Sequence, residues 1–300
     1  MKRSILHMLD PMPNNSPFDI NMAVDAGFDI LMPYNNVKLE GVHGLTQDAI
    51  FSRSPAGLKQ TGLFIGGRHL GLAIDMFNTA KQAMMAPFAI SVFADPSGAF
   101  TTSAALVACV ERELREKHGK ELAGCKAVVF GGTGPVGIAT GIIASLAGAD
   151  TTIVDHLYLD TAVDIATLYN RRFGCNLKAA VASFDREKIE LLKDVDVIFC
   201  TAKAGIQVLN ATILQEVTQL KVVGDVNAVP PAGIEGVDRG DCGAPLIHAT
   251  HCNALAVGAL AIGDVKYQVQ HAMLASMLDT EKPIFLDFRD AFIKAQEILK

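Results

Sequence analysis

Gly132, Gly134 and Gly137 lie in the run KAVVFGGTGPVGIATGIIASLAGADTTIVD, which extends from Lys126 to Asp155. Their spacing implies more chemistry than any other in the chain. A G-x-G-x-x-G turn lets the backbone bend tightly and approach a pyrophosphate, with Thr133, Pro135 and Val136 filling the intervening positions. The helix opening near Pro135 would present free N–H groups and its positive dipole end to that anion. Alone the motif is weak, and a tight turn in some other α/β domain is the bland alternative. Here a β-branched strand precedes it, a small-residue helix follows it, and an acid, Asp155, ends the next strand about 20 residues on, as dinucleotide binding requires.

An acid at the end of that second strand accepts hydrogen bonds from the adenosine ribose and repels a 2′-phosphate. The expected cofactor is therefore NAD, with NADP as a second acceptor. His156 follows directly and would also face the cofactor, and Arg171 and Arg172 read more simply as a solvated helix end. Thr201 and Ala202, and then Asp225 and Asn227, stand at carboxyl ends of later strands, where ligands of open sheets bind. Asp225 and Asn227 either touch the nicotinamide end or cap turns. No Ser-His-Asp, HExxH or Walker pattern occurs, and no nucleophile has an adjacent base. A hydride donor whose product cation is stabilised by its own nitrogen lone pairs needs no such base. It asks the protein to hold two carbons in contact and exclude water.

The elements that must position these residues alternate β and α along the chain. Expected strands are Ile5–Met8, Asp29–Met32, Leu63–Ile65 and Ile90–Phe93, then Ala127–Phe130, Thr151–Val154, Leu177–Val181, Val197–Cys200 and Val222–Asp225. Expected helices are Ile20–Ala26, Arg68–Met85, Thr102–His118 capped by Thr101 or Thr102, a small-residue helix after Leu255, and Asp287–Leu299. The fold class is α/β and two-lobed. A Rossmann-type dinucleotide domain over 106–274 accompanies an N-terminal α/β substrate lobe over 1–105, closed by the C-terminal helix of 275–300. Such an arrangement would leave a cleft for the nicotinamide.

Half of the 300 residues are hydrophobic and only 19% are charged, as for a chain rich in buried parallel strands. A net charge of −6 without a basic stripe argues against nucleic acid. No apolar run reaches the roughly 18 residues of a membrane span, and no signal peptide is recognisable. The expected location is the cytoplasm. The six cysteines form no CxxC pair and read as free, mostly buried thiols. Cys242, His248, His251 and Cys252 match no common zinc spacing, so no metal is expected.

The segments SPFDINMAVDAG, GLFIGG, FADPSGAFTTSAA, VVFGGTGPVG, DVNAVPPAGI and ALAIGDVK span almost the whole chain. Together they resemble the bacterial NAD(P)-dependent methylene-tetrahydromethanopterin dehydrogenases. That resemblance implies hydride transfer from the one-carbon bridge of methylene-tetrahydromethanopterin to a nicotinamide, within one-carbon (formaldehyde oxidation) metabolism, by a homo-oligomer. It implies catalytic roles for Asp19, Thr102 and Lys266, and substrate contacts from Asp95, Ser97, Gly98 and Thr101. Asp19 also reads as a helix cap, and Lys266 as a surface lysine. Strictly NADP-dependent relatives carry a Gly-Arg pair where this chain has Asp155-His156-Leu157. A methylene-tetrahydrofolate dehydrogenase and a non-catalytic NAD-binding regulator are the rival readings. A shikimate-dehydrogenase-like oxidation would need a Lys-Asp pair, for which Lys59 and Lys81 are poorly placed.

Overall fold

The computed structural model describes residues 3–300, whose contacts divide into two compact units. The first takes the chain up to Thr101 with Tyr267–Lys294, and the second takes Thr102–Lys266 with Ala295–Lys300. Compared with 1–105 plus 275–300 and 106–274, both boundaries fall earlier in the chain, and residues 295–300 join the second unit.

The first unit alternates β1 (Ile5–Leu9), α1 (Pro17–Asp25), β2 (Ile30–Tyr34), α2 (Leu39–Phe51), α3 (Pro55–Leu58), β3 (Thr61–Ile65), α4 (Leu70–Gln82) and β4 (Ser91–Ala94). A 3₁₀ turn, Pro96–Gly98, leads into the long α5 (Ala99–His118). The sheet is parallel, in the order β12-β4-β3-β1-β2, where β12 is Phe285–Leu286 near the end of the chain. Every residue of β3 and β4 is buried, which explains their unbroken apolar sequences. Pro33 is tolerated in β2 because that strand is an edge.

The second unit continues with β5 (Lys126–Phe130), α6 (Pro135–Leu146), β6 (Asp150–Asp155), α7 (Leu159–Phe173), β7 (Lys178–Val181), α8 (Asp185–Leu192) and β8 (Val197–Cys200). There follow α9 (Ala211–Gln215), β9 (Val222–Asp225), β10 (Cys242–Pro245), β11 (Leu255–Val257) and α10 (Ala259–Ser276), and α11 (Phe288–Ile298) closes the chain. The strand order is β10-β11-β9-β8-β5-β6-β7, parallel except for the antiparallel β10–β11 edge. In both sheets the chain starts in the middle, lays strands to one side, then crosses to the other. The reversal points are the carboxyl ends of β1 and β5, where open sheets bind ligands.

The expected strands all form, with ends shifted by a residue or two. The helices differ more. Pro17 occupies the first position of α1, three residues earlier than expected. α5 begins at Ala99, and its cap is Asp95, which accepts from the Phe100 and Thr101 N–H groups at 2.9 and 3.2 Å. Thr101 serves that cap by donating its hydroxyl to Asp95 at 2.6 Å, so neither threonine is itself the cap. Gly41 and Gly44 hide α2 from a propensity reading, and β10, Cys-Gly-Ala-Pro, carries no β-branched residue.

Phe288 opens α11 fully buried, edge-on to Phe100 with ring centroids 5.4 Å apart. Phe288→Ala should destabilise the protein by about 3–5 kcal/mol. In denaturant titrations the midpoint would fall with little change in slope. A midpoint within error of the parent protein would remove this contact from the forces that hold the C-terminal segment.

Candidate active site

The turn between β5 and α6 is built by close backbone approach. Gly131 has φ +70°, and a Cβ there would lie 2.7 Å from the backbone of Thr201 and Ala202. At Gly137 a Cβ would lie 2.2 Å from the Gly131 carbonyl oxygen, and at Gly132 2.8 Å from Val129 O and Val154 N. Gly134, by contrast, has only the Gly131 oxygen at 3.5 Å, so its missing side chain leaves room above the helix end. Gly134 is also the N-cap of α6, with no side-chain cap and Pro135 at the helix start. The first-turn N–H groups of α6 thus point at open space, a cradle that fits a pyrophosphate. Gly131 was missed from the fingerprint; its signal is the Gly131-Gly132 pair.

Asp155 closes the turn from the next strand. Its Oδ2 accepts from Thr133 Oγ1 at 2.8 Å, and its Oδ1 accepts from the N–H groups of Leu157 and Tyr158 at 2.8 and 2.9 Å. Burial works against its charge, but these donors outweigh it and hold the carboxyl below the usual range. The sign follows: Asp155 is ionised and holds the turn at neutral pH, and its contribution is lost only as pH falls through that lowered pKa. Thr201 staples the turn to β8, its hydroxyl lying 2.8 Å from Phe130 O and 3.2 Å from Gly131 O.

A cavity of about 690 Å³ opens beside this turn, lined by Gly131, Thr133, Gly134, His156, Thr201 and Ala202 among others. Of the expected residues, Thr133, Gly134, His156, Thr201 and Ala202 line it, joined by Ser183, Lys188 and Lys203, which the sequence reading missed. Lys188 donates to Val208 O at 2.9 Å. The cavity wall thus carries cations, while the acid behind it is occupied by its own turn. Of the two roles open for Asp225 and Asn227, the bonds they make in the structure are those of turn caps. Asp225 is 1% exposed and accepts from Asn227 N and Ile234 N at 2.9 and 3.0 Å; its burial raises its pKa. Asn227 accepts from Gly205 N and Val229 N and donates to Pro231 O. Both hold the Asp225–Ile234 loop in shape. Among the described residues no cluster of His, Cys, Asp and Glu could hold a metal, and all six cysteines are free, three of them buried.

The first unit gathers a second group at the carboxyl end of its sheet. Asp10, just after β1, is buried, and its Oδ1 accepts from Met12 N at 2.7 Å. A Cβ at Gly66 would lie 2.6 Å from its other oxygen. Neither residue was expected at the site. After β4, Ser97 adopts φ +52° and donates its hydroxyl to Gly67 O at 2.9 Å, and Gly98 follows at φ +66°. Left-handed serine is a strained conformation that persists where its surroundings dictate it. Asp95 and Thr101 are fully buried and bonded to one another, and that bond shapes the turn. Ser97 is exposed, and Thr102, with which the second unit begins, is half-buried. Asp19 does not cap α1, whose N-cap is Ser16. It is buried and accepts from Gln270 Nε2 of α10 at 2.7 Å. Lys266 lies on the part of α10 that belongs to the second unit, half-buried.

With the geometry in place, comparison with known proteins is specific. Residues 17–97 match the family described as methylene-tetrahydromethanopterin dehydrogenase, N-terminal. The NAD(P)-dependent methylenetetrahydromethanopterin dehydrogenase of Methylorubrum extorquens is 45% identical over 99% of both chains. Bifunctional protein MdtA of the same organism is 30% identical over 99% of this chain and 100% of its own. Among solved structures, shikimate 5-dehydrogenase from Listeria monocytogenes superposes with TM-score 0.54 at 13% identity, covering 99% of this chain and 96% of its own. That likeness concerns the fold.

Gly137→Ala should cost about 1–3 kcal/mol of turn distortion and weaken nicotinamide binding in fluorescence titrations. Thr133→Val removes one bond to a charged acceptor, about 1.5 kcal/mol or roughly tenfold in affinity, equally for NAD and NADP. Asp155→Ala should weaken NAD more than NADP. An unmoved NAD-to-NADP ratio in Asp155→Ala would restrict Asp155 to shaping the turn.

Proposed function

The chain belongs to the methylene-tetrahydromethanopterin dehydrogenase family, and from that premise we propose that it oxidises methylene-tetrahydromethanopterin with NAD(P)+ to the methenyl cation. The observation that carries the reading is the nucleotide cradle at the start of α6 in a chain 45% identical, over 99% of both chains, to an NAD(P)-dependent methylenetetrahydromethanopterin dehydrogenase. NAD(P) supplies the hydride acceptor at nicotinamide C4 when bound. The α6 N-terminus and its glycine turn hold the pyrophosphate, while Thr133 and Asp155 keep that turn rigid. Leu157, Ile206 and Val208 give the cavity apolar walls that exclude water.

Asp19 accepts hydrogen bonds from the pyrimidine N–H groups of the pterin, Ser97 and Thr102 flank it, and Lys266 orients the ring. No proton needs to be removed. The bridge C–H bond breaks with both electrons, and the adjacent nitrogens share the positive charge. A cation at Lys266 therefore positions the substrate and does not stabilise the product. The cations lining the cofactor cavity favour use of NADP beside NAD. We place the enzyme in the cytoplasm, where its nicotinamide partner is recycled, as a homo-oligomer.

Steady-state kinetics crossing both one-carbon pterins with both nicotinamides test the assignment. Turnover is expected with methylene-tetrahydromethanopterin, read as methenyl absorbance together with NAD(P)H. Activity confined to methylene-tetrahydrofolate would move the enzyme to folate chemistry, and cofactor binding without turnover would make it a regulator. Lys266→Ala should lower kcat or raise the pterin KM while NAD affinity stays within about twofold. An unchanged rate would return Lys266 to the protein surface.

A further inference from the structure

The wall of the cofactor cavity contains a cation that is mostly buried. Lys188 lines the cavity, yet its side chain is only 13% exposed. Its Nζ donates to Val208 O, a neutral acceptor, at 2.9 Å, and its ion-pair partner Asp185 Oδ1 stands 3.9 Å away. That acid is 53% exposed, and its other oxygen accepts from Asn210 Nδ2 at 2.7 Å. Among the described residues that line the cavity, none is Asp or Glu. A largely buried charge is stable when it is paired and hydrogen-bonded. An ammonium has three donors, so the Val208 carbonyl and a distant, shared acid leave Lys188 suited to a further anionic acceptor.

The sheet decides which part of a dinucleotide Lys188 would serve. Asp155 ends β6 at the position suited to the adenosine ribose, and β7 pairs beside it with Val181 opposite Asp155. The turns that follow these two strands are tied together. Ala182 N donates to Asp155 O at 3.2 Å, and Ser183 Oγ donates to His156 O at 2.5 Å. α8 then starts at Asp185, so Lys188 stands within its first turns, on the ribose side. Lys203 follows Ala202, whose nitrogen would lie 2.7 Å from a Cβ at Gly131, so it stands on the pyrophosphate side. His156 is nearer the ribose in sequence, but its side chain is 82% exposed, and a solvated ion pair contributes little. Lys188 is thus the cation built into the wall beside the ribose.

Free ribose hydroxyls ask for acceptors, and an adenine ring is neutral, so neither calls for a mostly buried cation. A 2′-phosphate does, and the same phosphate is repelled by the acid at the end of β6. We propose that Lys188 is a specificity-determining residue that admits NADP: its ammonium pairs with the adenosine 2′-phosphate and offsets the repulsion from Asp155. This rests on the nicotinamide-dehydrogenase reading above.

The test is calorimetric titration of the full-length enzyme with dinucleotides and their adenosine fragments, which needs no pterin. Lys188→Gln removes the charge and keeps an N–H group for Val208 O. It should bind NADP and adenosine 2′,5′-bisphosphate about 10–100-fold more weakly, and NAD and adenosine 5′-monophosphate within about twofold of the parent. Lys188→Arg keeps a cation and should restore most of the NADP affinity. Added salt should weaken bisphosphate binding more steeply in the parent than in Lys188→Gln, because only the parent has this ion pair to screen.

Equal losses for NAD and NADP in Lys188→Gln, or a parent enzyme that binds NAD and rejects NADP, each overturn the proposal. An NADP-to-NAD affinity ratio that falls further in His156→Ala than in Lys188→Gln gives the phosphate to the imidazole and overturns it too. A parent enzyme that binds neither dinucleotide overturns the underlying reading, and the Lys188 assignment with it. Parent binding of both, with no loss in Lys188→Gln, overturns Lys188 alone.

Discussion

The nucleotide half of this molecule depends on a contact with no side chain in it, the approach of α6 to the turn that precedes it. The Gly137 α-carbon stands so near the Gly131 carbonyl that a single methyl group would close to 2.2 Å. Only with that approach does the first turn of α6 start directly at the end of β5. Only then do its free N–H groups face the space beside the strand. The rest follows from keeping the turn in place. Thr201 ties it to β8, Asp155 reaches it through Thr133, and the parallel register of β5 with β6 and β8 sets both strands at the right height.

One device recurs at strand ends throughout the chain. Asp10 after β1, Asp95 after β4, Asp155 at the end of β6 and Asp225 at the end of β9 each accept from backbone N–H groups of the turn that follows. A strand entering a tight turn leaves backbone donors that no sheet partner can satisfy, and a short acidic side chain reaches back to them. These residues look like ligand contacts because they occupy the end of the sheet where ligands bind. In the structure their carboxylates hold the geometry of the loops, and that fixes the backbone from which exposed residues such as His156 project.

This explains what could be read from the amino-acid sequence. The strands were legible because both faces are covered and the apolar runs are short and unbroken. The glycine turn was legible because motif, strand and helix agree. Whether Asp95, Asp155 and Asp225 serve a ligand or a loop was not legible, since both uses ask for the same residue at the same position. Gly131 escaped notice because the fingerprint is counted from its neighbour, although it is the glycine with the left-handed φ. Ser183, Lys188 and Lys203 reach the cofactor cavity from connections after β7 and β8, which no local pattern ties to the turn after β5. Gln270 was invisible for a similar reason: 251 positions separate it from Asp19.

Asp19 differs from the other acids in kind. It follows no strand, and it is held by a side-chain amide from a distant helix as well as by its place in the first turn of α1. A carboxylate that caps a strand end is fixed by its own loop. Asp19 is fixed instead across the length of the chain, by an amide from α10, in a buried setting where a hydrogen bond is worth more than in water. That bond ties the start of α1 to α10. A rigid framework of this kind is what a reaction without proton transfer asks for, since its main demand on a protein is that the reacting carbons be held in register.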